Sequence, residues 1–184
     1  MKSIHLVSLL LSLLICNPIM AKTGEPQDSV ILRADWKKLK TKEYSLSYPY
    51  NWILNQDKTQ ATHFTLYAPG PKAVGSFEKN INLSIQDLSD RNLNLDKYTT
   101  LSERQIHTLV ENSELLESTR IDTLEVPFHE IIYTGDYYEQ KLKWKMRFWV
   151  VKDQVYILTY TASKETFGLY SKIAGEIMDT FRLK

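Results

Sequence analysis

Between Phe128 and Thr161 the chain runs through three alternating stretches joined by links too short for anything but reversal. The stretches are about Phe128–Tyr133, Glu139–Val151 and Gln154–Thr161, with turns expected at Gly135-Asp136 and Lys152-Asp153. Successive side chains on a strand point to opposite faces, so such alternation marks half-buried strands. A two-residue link joins antiparallel neighbours, whereas a parallel pair needs a crossover of about a dozen residues or more. Lys-Asp is not the pair that tight hairpins favour. Even so, the spacing dictates an antiparallel meander, and the rest of the fold must be built around it.

The flanking segments supply its partners. In Glu43–Tyr50, Tyr44, Leu46 and Tyr48 fall on one face and Ser45 and Ser47 on the other; Pro49 ends the run and Trp52-Ile53-Leu54 resumes it. His63–Tyr67 reads as a strand closed by Pro69-Gly70-Pro71, followed by a loop through Gly75 and a further alternating run, Asn80–Asp87. Leu95, Tyr98, Ser102, Gln105/Ile106 and Leu109 then recur at helical spacing, with Asn94 placed to cap the helix. Glu114–Thr123 is strand-like and Glu125-Val126-Pro127 reads as a turn. The tail predicts a second helix with Ser163 as cap, Glu165 in its first turn and Arg182 and Lys184 at its C-terminal end, where the dipole favours cations. Its apolar stripe is Phe167, Tyr170, Ala174, Ile177, Met178 and Phe181, and Gly168 and Gly175 are expected to let it approach the sheet closely. The order predicts an α+β fold with a mainly antiparallel sheet, the apolar stripe buried against one of its faces.

The front of the chain is different in kind. Lys2 is the only charge in residues 1–21, and Ile4–Ile15 is almost wholly apolar. Twelve helical residues span roughly 18 Å against the ~30 Å of a bilayer core, which suits a signal-peptide core and not a membrane span. Pro18 breaks the helix, and Ile19-Met20-Ala21 ends on a small residue, so cleavage is expected after Ala21. Leu13-Leu14-Ile15-Cys16 offers a rival reading, a lipid-anchored cysteine, although a lipobox wants a small residue where Ile15 stands. Residues 22–35 read as a flexible tether and 36–184 as one domain. Without Lys2, the 23 basic residues become 22 against 22 acidic, a mature chain of zero net charge with no footprint for nucleic acid. The single cysteine excludes a disulfide scaffold and a thiolate zinc site.

Tyr44-Ser45-Leu46-Ser47-Tyr48-Pro49-Tyr50-Asn51-Trp52 resembles the opening signature of the PsbP-like family. Ile81–Leu88, Leu95-Asp96-Lys97-Tyr98, Val155–Tyr160 and the final helix closing on Thr180-Phe181 fit the same family in order. The resemblance runs over about residues 36–184 and extends to secreted bacterial relatives of the DcrB type. It implies an α-β-α sandwich around a central, mainly antiparallel sheet, and a non-catalytic accessory or binding protein whose partner, a protein or another envelope component, is not specified. It carries over no catalytic residue, and no cofactor or metal is expected.

The residues themselves offer little catalytic chemistry. His63, His107 and His129 lie far apart with no HxxxH, HExxH or HxH spacing. Neither phosphate-binding glycine motifs nor a GxSxG elbow occurs. A small extracytoplasmic hydrolase, assembled from distant loops, is the alternative. One feature stands out: Lys141, Lys143, Lys145 and Arg147 alternate with Leu142, Trp144, Met146 and Phe148, setting four cations on one face of a strand. They read either as a solvated face paired with Glu130, Asp136 and Glu139, or as a stripe that docks an acidic partner or anionic headgroup. Tyr133, Tyr137, Tyr138, Tyr156 and Tyr160 suit half-buried strands or an interface equally well.

Overall fold

The computed structural model describes residues 35–57, 62–70, 77–122 and 125–184; the leader, Cys16, nearly all of the tether and the Gly75 loop lie outside them. The strands are β1 (Trp36–Lys40), β2 (Tyr44–Pro49), β3 (Ile53–Asn55), β4 (Phe64–Tyr67), β5 (Asn80–Asp87), β6 (Glu111–Ile121), β7 (Phe128–Tyr137), β8 (Gln140–Val151), β9 (Gln154–Ser163) and β10 (Arg182–Leu183). The helices are α1 (Leu95–Leu109) and α2 (Phe167–Met178). A seven-stranded sheet runs β3-β4-β5-β9-β8-β7-β6, and a three-stranded sheet runs β1-β2-β10. Every pairing is antiparallel.

The large sheet has two working faces. On one, α1 buries Leu95, Tyr98 and Ile106 against Ile131, Phe148 and Val155. Tyr98 meets Phe148 edge-on with ring centres 5.2 Å apart, a favoured aromatic geometry. On the other, α2 and the small sheet together cover Phe64, Leu66, Ile81, Leu83, Leu158 and Tyr160. Asn94 caps α1 as expected, its Oδ1 accepting from Lys97 N–H at 2.9 Å.

Several local expectations are corrected. The β7–β8 turn is not at Gly135-Asp136 but at Tyr138-Glu139, with φ of 43° and 46°. Two consecutive left-handed residues match the twist of a tight hairpin, even without glycine. Gly135 stays inside β7 for another reason: a Cβ there would lie 2.3 Å from Val110 Cγ1 and 3.1 Å from Glu111 O. The α1–β6 junction crosses at that point, and β6 is bulged between Glu111 and Glu114. Leu109 is 50% exposed and plays no part in the core. Thr166, not Ser163, occupies the α2 cap position, and Glu165 precedes the helix. Arg182 and Lys184 do not cap α2. Instead, Arg182 belongs to β10, and Lys184 N–H bonds to Glu43 O at 3.0 Å beside β2. Gly168 and Gly175 have nothing within 4 Å of where a Cβ would be, so close packing is not their role.

Candidate functional site

α1 packs chiefly on β6, β7 and β8, with Tyr98 Oη reaching Gln86 of β5 at 3.5 Å, and leaves the Asn80–Thr161 end of its own face open. Strand register fixes what lines that open area. One row crosses the sheet as Asn80, Thr161, Trp144 and Tyr133, and the next as Asn82, Thr159, Met146 and Ile131. Ser84 and Ile157 begin a third, with Phe77 and Tyr137 at the rim. The result is a shallow groove enclosing about 50 Å³. Drug-sized ligand pockets run to roughly 300–1,000 Å³, so only part of a ligand could sit inside.

The groove is amide- and hydroxyl-rich on one side and aromatic on the other. Asn80 donates to Glu78 O at 2.9 Å, and Asn82 donates to Asn80 Oδ1 at 3.1 Å, forming a ladder along β5. Trp144 and Tyr133 stack with ring centres 4.8 Å apart and planes 11° apart. The lining holds no Asp, Glu, His, Lys, Arg or Cys among the described residues. Its ionisable groups are Tyr133 and Tyr137. Burial pushes the Tyr133 phenol far above its usual range, and burial with neighbouring Tyr138 pushes Tyr137 up to about 12. Both are neutral at physiological pH. Tyr137 Oη is buried without a hydrogen-bond partner, a polar atom left open at the rim. Such a lining can exchange hydrogen bonds with a neutral polar ligand; it has no group poised for general acid or base work. Sequence reasoning saw the alternation of β5 but not this site. The readable signal was that the polar side of β5 carries amides and a hydroxyl, Asn80, Asn82, Ser84 and Gln86, and no charge before Asp87.

The cationic stripe lies on the opposite, α2-bearing face and is divided in use. Arg147 is 8% exposed: its Nε donates to Glu130 Oε2 at 2.6 Å, its Nη1 to Asp179 Oδ1 at 2.7 Å, and its guanidinium stands 5.3 Å from the centre of the Phe128 ring. Lys145 pairs with Glu130 at 3.0 Å, and Lys143 lies 4.9 Å from the Phe167 ring centre. Lys141 is exposed, opposite Asp136 in register. Arg147 and Lys145 thus tie β8 to β7 and to the end of α2, leaving Lys141 as the exposed member and Lys143 half-buried over Phe167.

The three histidines among the described residues stay apart. His63 precedes β4, with its ring 6.5 Å from Tyr44, and His107 is exposed on α1. His129 Nε2 lies 2.7 Å from Ser118 Oγ, which also donates to Glu103 Oε1 at 2.5 Å. A hydroxyl has one proton; given to Glu103, it leaves Ser118 accepting from His129 Nε2–H. A nucleophile's base must take the hydroxyl proton, and here the imidazole gives one. The trio is a clasp joining α1, β6 and β7. Burial holds the His129 imidazole below its ordinary value. The described residues contain no group of three or more His, Cys, Asp or Glu able to hold a metal, and no helix among them is long and apolar enough to cross a membrane.

Compared by sequence, the chain matches no protein-family model and no curated protein. Its fold does match solved structures. LpqN, involved in cell envelope biogenesis of Mycobacterium tuberculosis, aligns with a TM-score of 0.61 at 10% identity over 81% of this chain and 91% of its own. A Pseudomonas aeruginosa protein of unknown function, PA94, aligns with a TM-score of 0.57 at 15% identity over 79% and 94%. The cyanobacterial PsbP of Synechocystis sp. PCC 6803 aligns with a TM-score of 0.55 at 11% identity over 86% and 98%. At these identities the likeness speaks for architecture alone, and on that ground the chain has the PsbP-like α+β fold.

Proposed function

We propose that this protein is a non-catalytic binding or accessory module of the cell envelope, exported by residues 1–21 and cleaved after Ala21. The observation that carries the binding assignment is the groove beside α1. Its lining offers amides, hydroxyls and aromatic rings with no carboxylate, imidazole, amine or thiol among the described residues. Convergent titratable groups are what a hydrolytic site requires. The likeness of fold to an envelope-biogenesis protein and to cyanobacterial PsbP supports the same reading. Lys141 and Lys143 are a secondary docking element for an acidic partner.

The test is crosslinking capture from native envelopes with wild type, a groove variant (Asn82→Arg with Thr159→Arg) and Lys141→Gln with Lys143→Gln. A partner lost with the groove variant, both variants melting normally, supports the assignment. Equal recovery removes the groove from the function. Turnover of an ester or peptide by the pure protein, abolished by Ser118→Ala, would replace this reading with the hydrolase alternative. Mass spectrometry of the mature N-terminus checks cleavage, and detergent partitioning distinguishes an anchor at Cys16.

A further inference from the structure

The strongest charge asymmetry is on the small sheet, not on β8. Lys37, Lys38, Lys40 and Lys42 are exposed along β1 and its turn, and Arg182 and Lys184 are exposed at β10. Across residues 36–49 and 180–184 the only acidic side chain is Glu43. Arg182 Nη1 and Lys184 Nζ donate to backbone carbonyls, and no carboxylate among the described residues pairs with any of the six. Like charges gathered this way, in a chain balanced overall, repel one another. β6 carries the compensating acids Glu111, Glu114 and Glu117 at the far edge of the large sheet.

Register makes this a flat surface. Lys40, Ser45 and Arg182 lie side by side across the three strands, with Lys38 opposite Ser47 in the next row; Lys37, opposite Tyr48, projects from the other side of the edge strand. Neighbouring strands are about 4.8 Å apart, so the cations stand above small serines with no intervening bulk. None of these residues lines the groove beside α1. A flat cationic strip fits a planar array of anionic groups better than a peptide, which needs a cleft or a free strand edge with side-chain pockets. Tyr50, 58% exposed just past β2, adds an amphipathic ring of the kind enriched at membrane interfaces. The leader and tether also join the domain at this place, immediately before β1.

We propose that the outer face of β1-β2-β10 rests on an anionic phospholipid surface, its lysines meeting headgroup phosphates. This builds on the envelope assignment but is tested separately, because vesicle binding requires neither export nor the groove. The probe is the purified protein co-sedimented with phosphatidylcholine vesicles, with and without phosphatidylglycerol. Comparison is with a variant carrying Lys38→Gln, Lys40→Gln and Lys42→Gln. These three side chains hold no ion pair among the described residues, so folding is preserved and melting checks it. Binding is expected only with phosphatidylglycerol and should weaken in salt. Removing three charges should lower the partition coefficient roughly a hundredfold, at about fivefold per charge. Lys141→Gln with Lys143→Gln should leave it within about threefold, since those cations lie on another surface. Equal binding by the triple variant, no binding to phosphatidylglycerol vesicles, or retention only by a soluble polyanion such as heparin would overturn the proposal.

Discussion

Glu130→Gln is the most informative single substitution, because Glu130 is the anion between two cations. Its carboxylate accepts from Arg147 at 2.6 Å and from Lys145 at 3.0 Å, and the side chains of Glu130 and Arg147 are only 16% and 10% exposed. Glutamine preserves shape and one acceptor but removes the charge, leaving Arg147 desolvated with Asp179 as its remaining carboxylate. Removing one partner of a buried pair costs roughly 3–5 kcal/mol. Asp179 stays in place and its side chain is 63% exposed, so water reaches the site and the loss should be about 2–3 kcal/mol. For a domain of this size that corresponds to a melting drop of roughly 4–12 °C. Urea denaturation should show a lower midpoint at unchanged slope. The paired replacement Glu130→Leu with Arg147→Met removes both of the most buried charges and should recover most of the loss, because the ions left without these partners, Lys145 and Asp179, are 21% and 63% exposed and reach water. A loss below about 0.5 kcal/mol for Glu130→Gln would place the pair among exposed ones and refute the reasoning. A paired replacement worse than the single one would refute it too.

Gly175→Ala should stabilise the protein by about 0.5–1 kcal/mol, read as a raised urea midpoint, because α2 leaves open space there. Gly135→Ala should do the reverse, losing roughly 1–3 kcal/mol as its methyl group meets Val110 Cγ1; an unchanged midpoint would mean that the α1–β6 crossing yields freely. Acidification should weaken the fold through His129. Burial sets its folded value below 6.5, so the unfolded chain takes up the proton first and stability falls as pH drops through about 6.5. Melting profiles of wild type and His129→Asn between pH 5 and 8 should differ in slope, and parallel profiles would remove the assignment. Tyr137→Phe should be neutral or slightly stabilising in thermal melts, since the Tyr137 hydroxyl is buried without a partner.

Most strands and both helices were legible because period two and period 3.6 are local signals. What remained hidden was set by tertiary context. The left-handed pair Tyr138-Glu139 carries no turn signature, while Gly135-Asp136 does, and the crossing of Val110 over β7 accounts for that glycine. The two-residue strand β10 has no periodicity to read; only its partner β2 makes it a strand. The cations of β8 were correctly placed on one face. Their division into the braced Arg147 and Lys145, the half-buried Lys143 and the open Lys141 depends on where α2 lies, which brings Asp179 to Arg147 and Phe167 to Lys143. The groove was missed because polar residues on a strand read as solvent-facing, whereas Asn80 and Thr161 are 1% and 4% exposed. Its composition follows from the uneven reach of α1, which no single strand records.

The seam between β2 and β10 has a bearing on the timing of folding. Ser47 N–H donates to Thr180 Oγ1 at 2.8 Å across 133 residues of sequence, and Phe181 packs against Tyr44 just beside it. Until those late residues emerge from the ribosome, Tyr44, Leu46 and Tyr48 lack their third strand, and one layer of the molecule cannot close. Contacts of such long span form slowly and last. A polypeptide organised this way closes that layer only once residues 180–183 have been made.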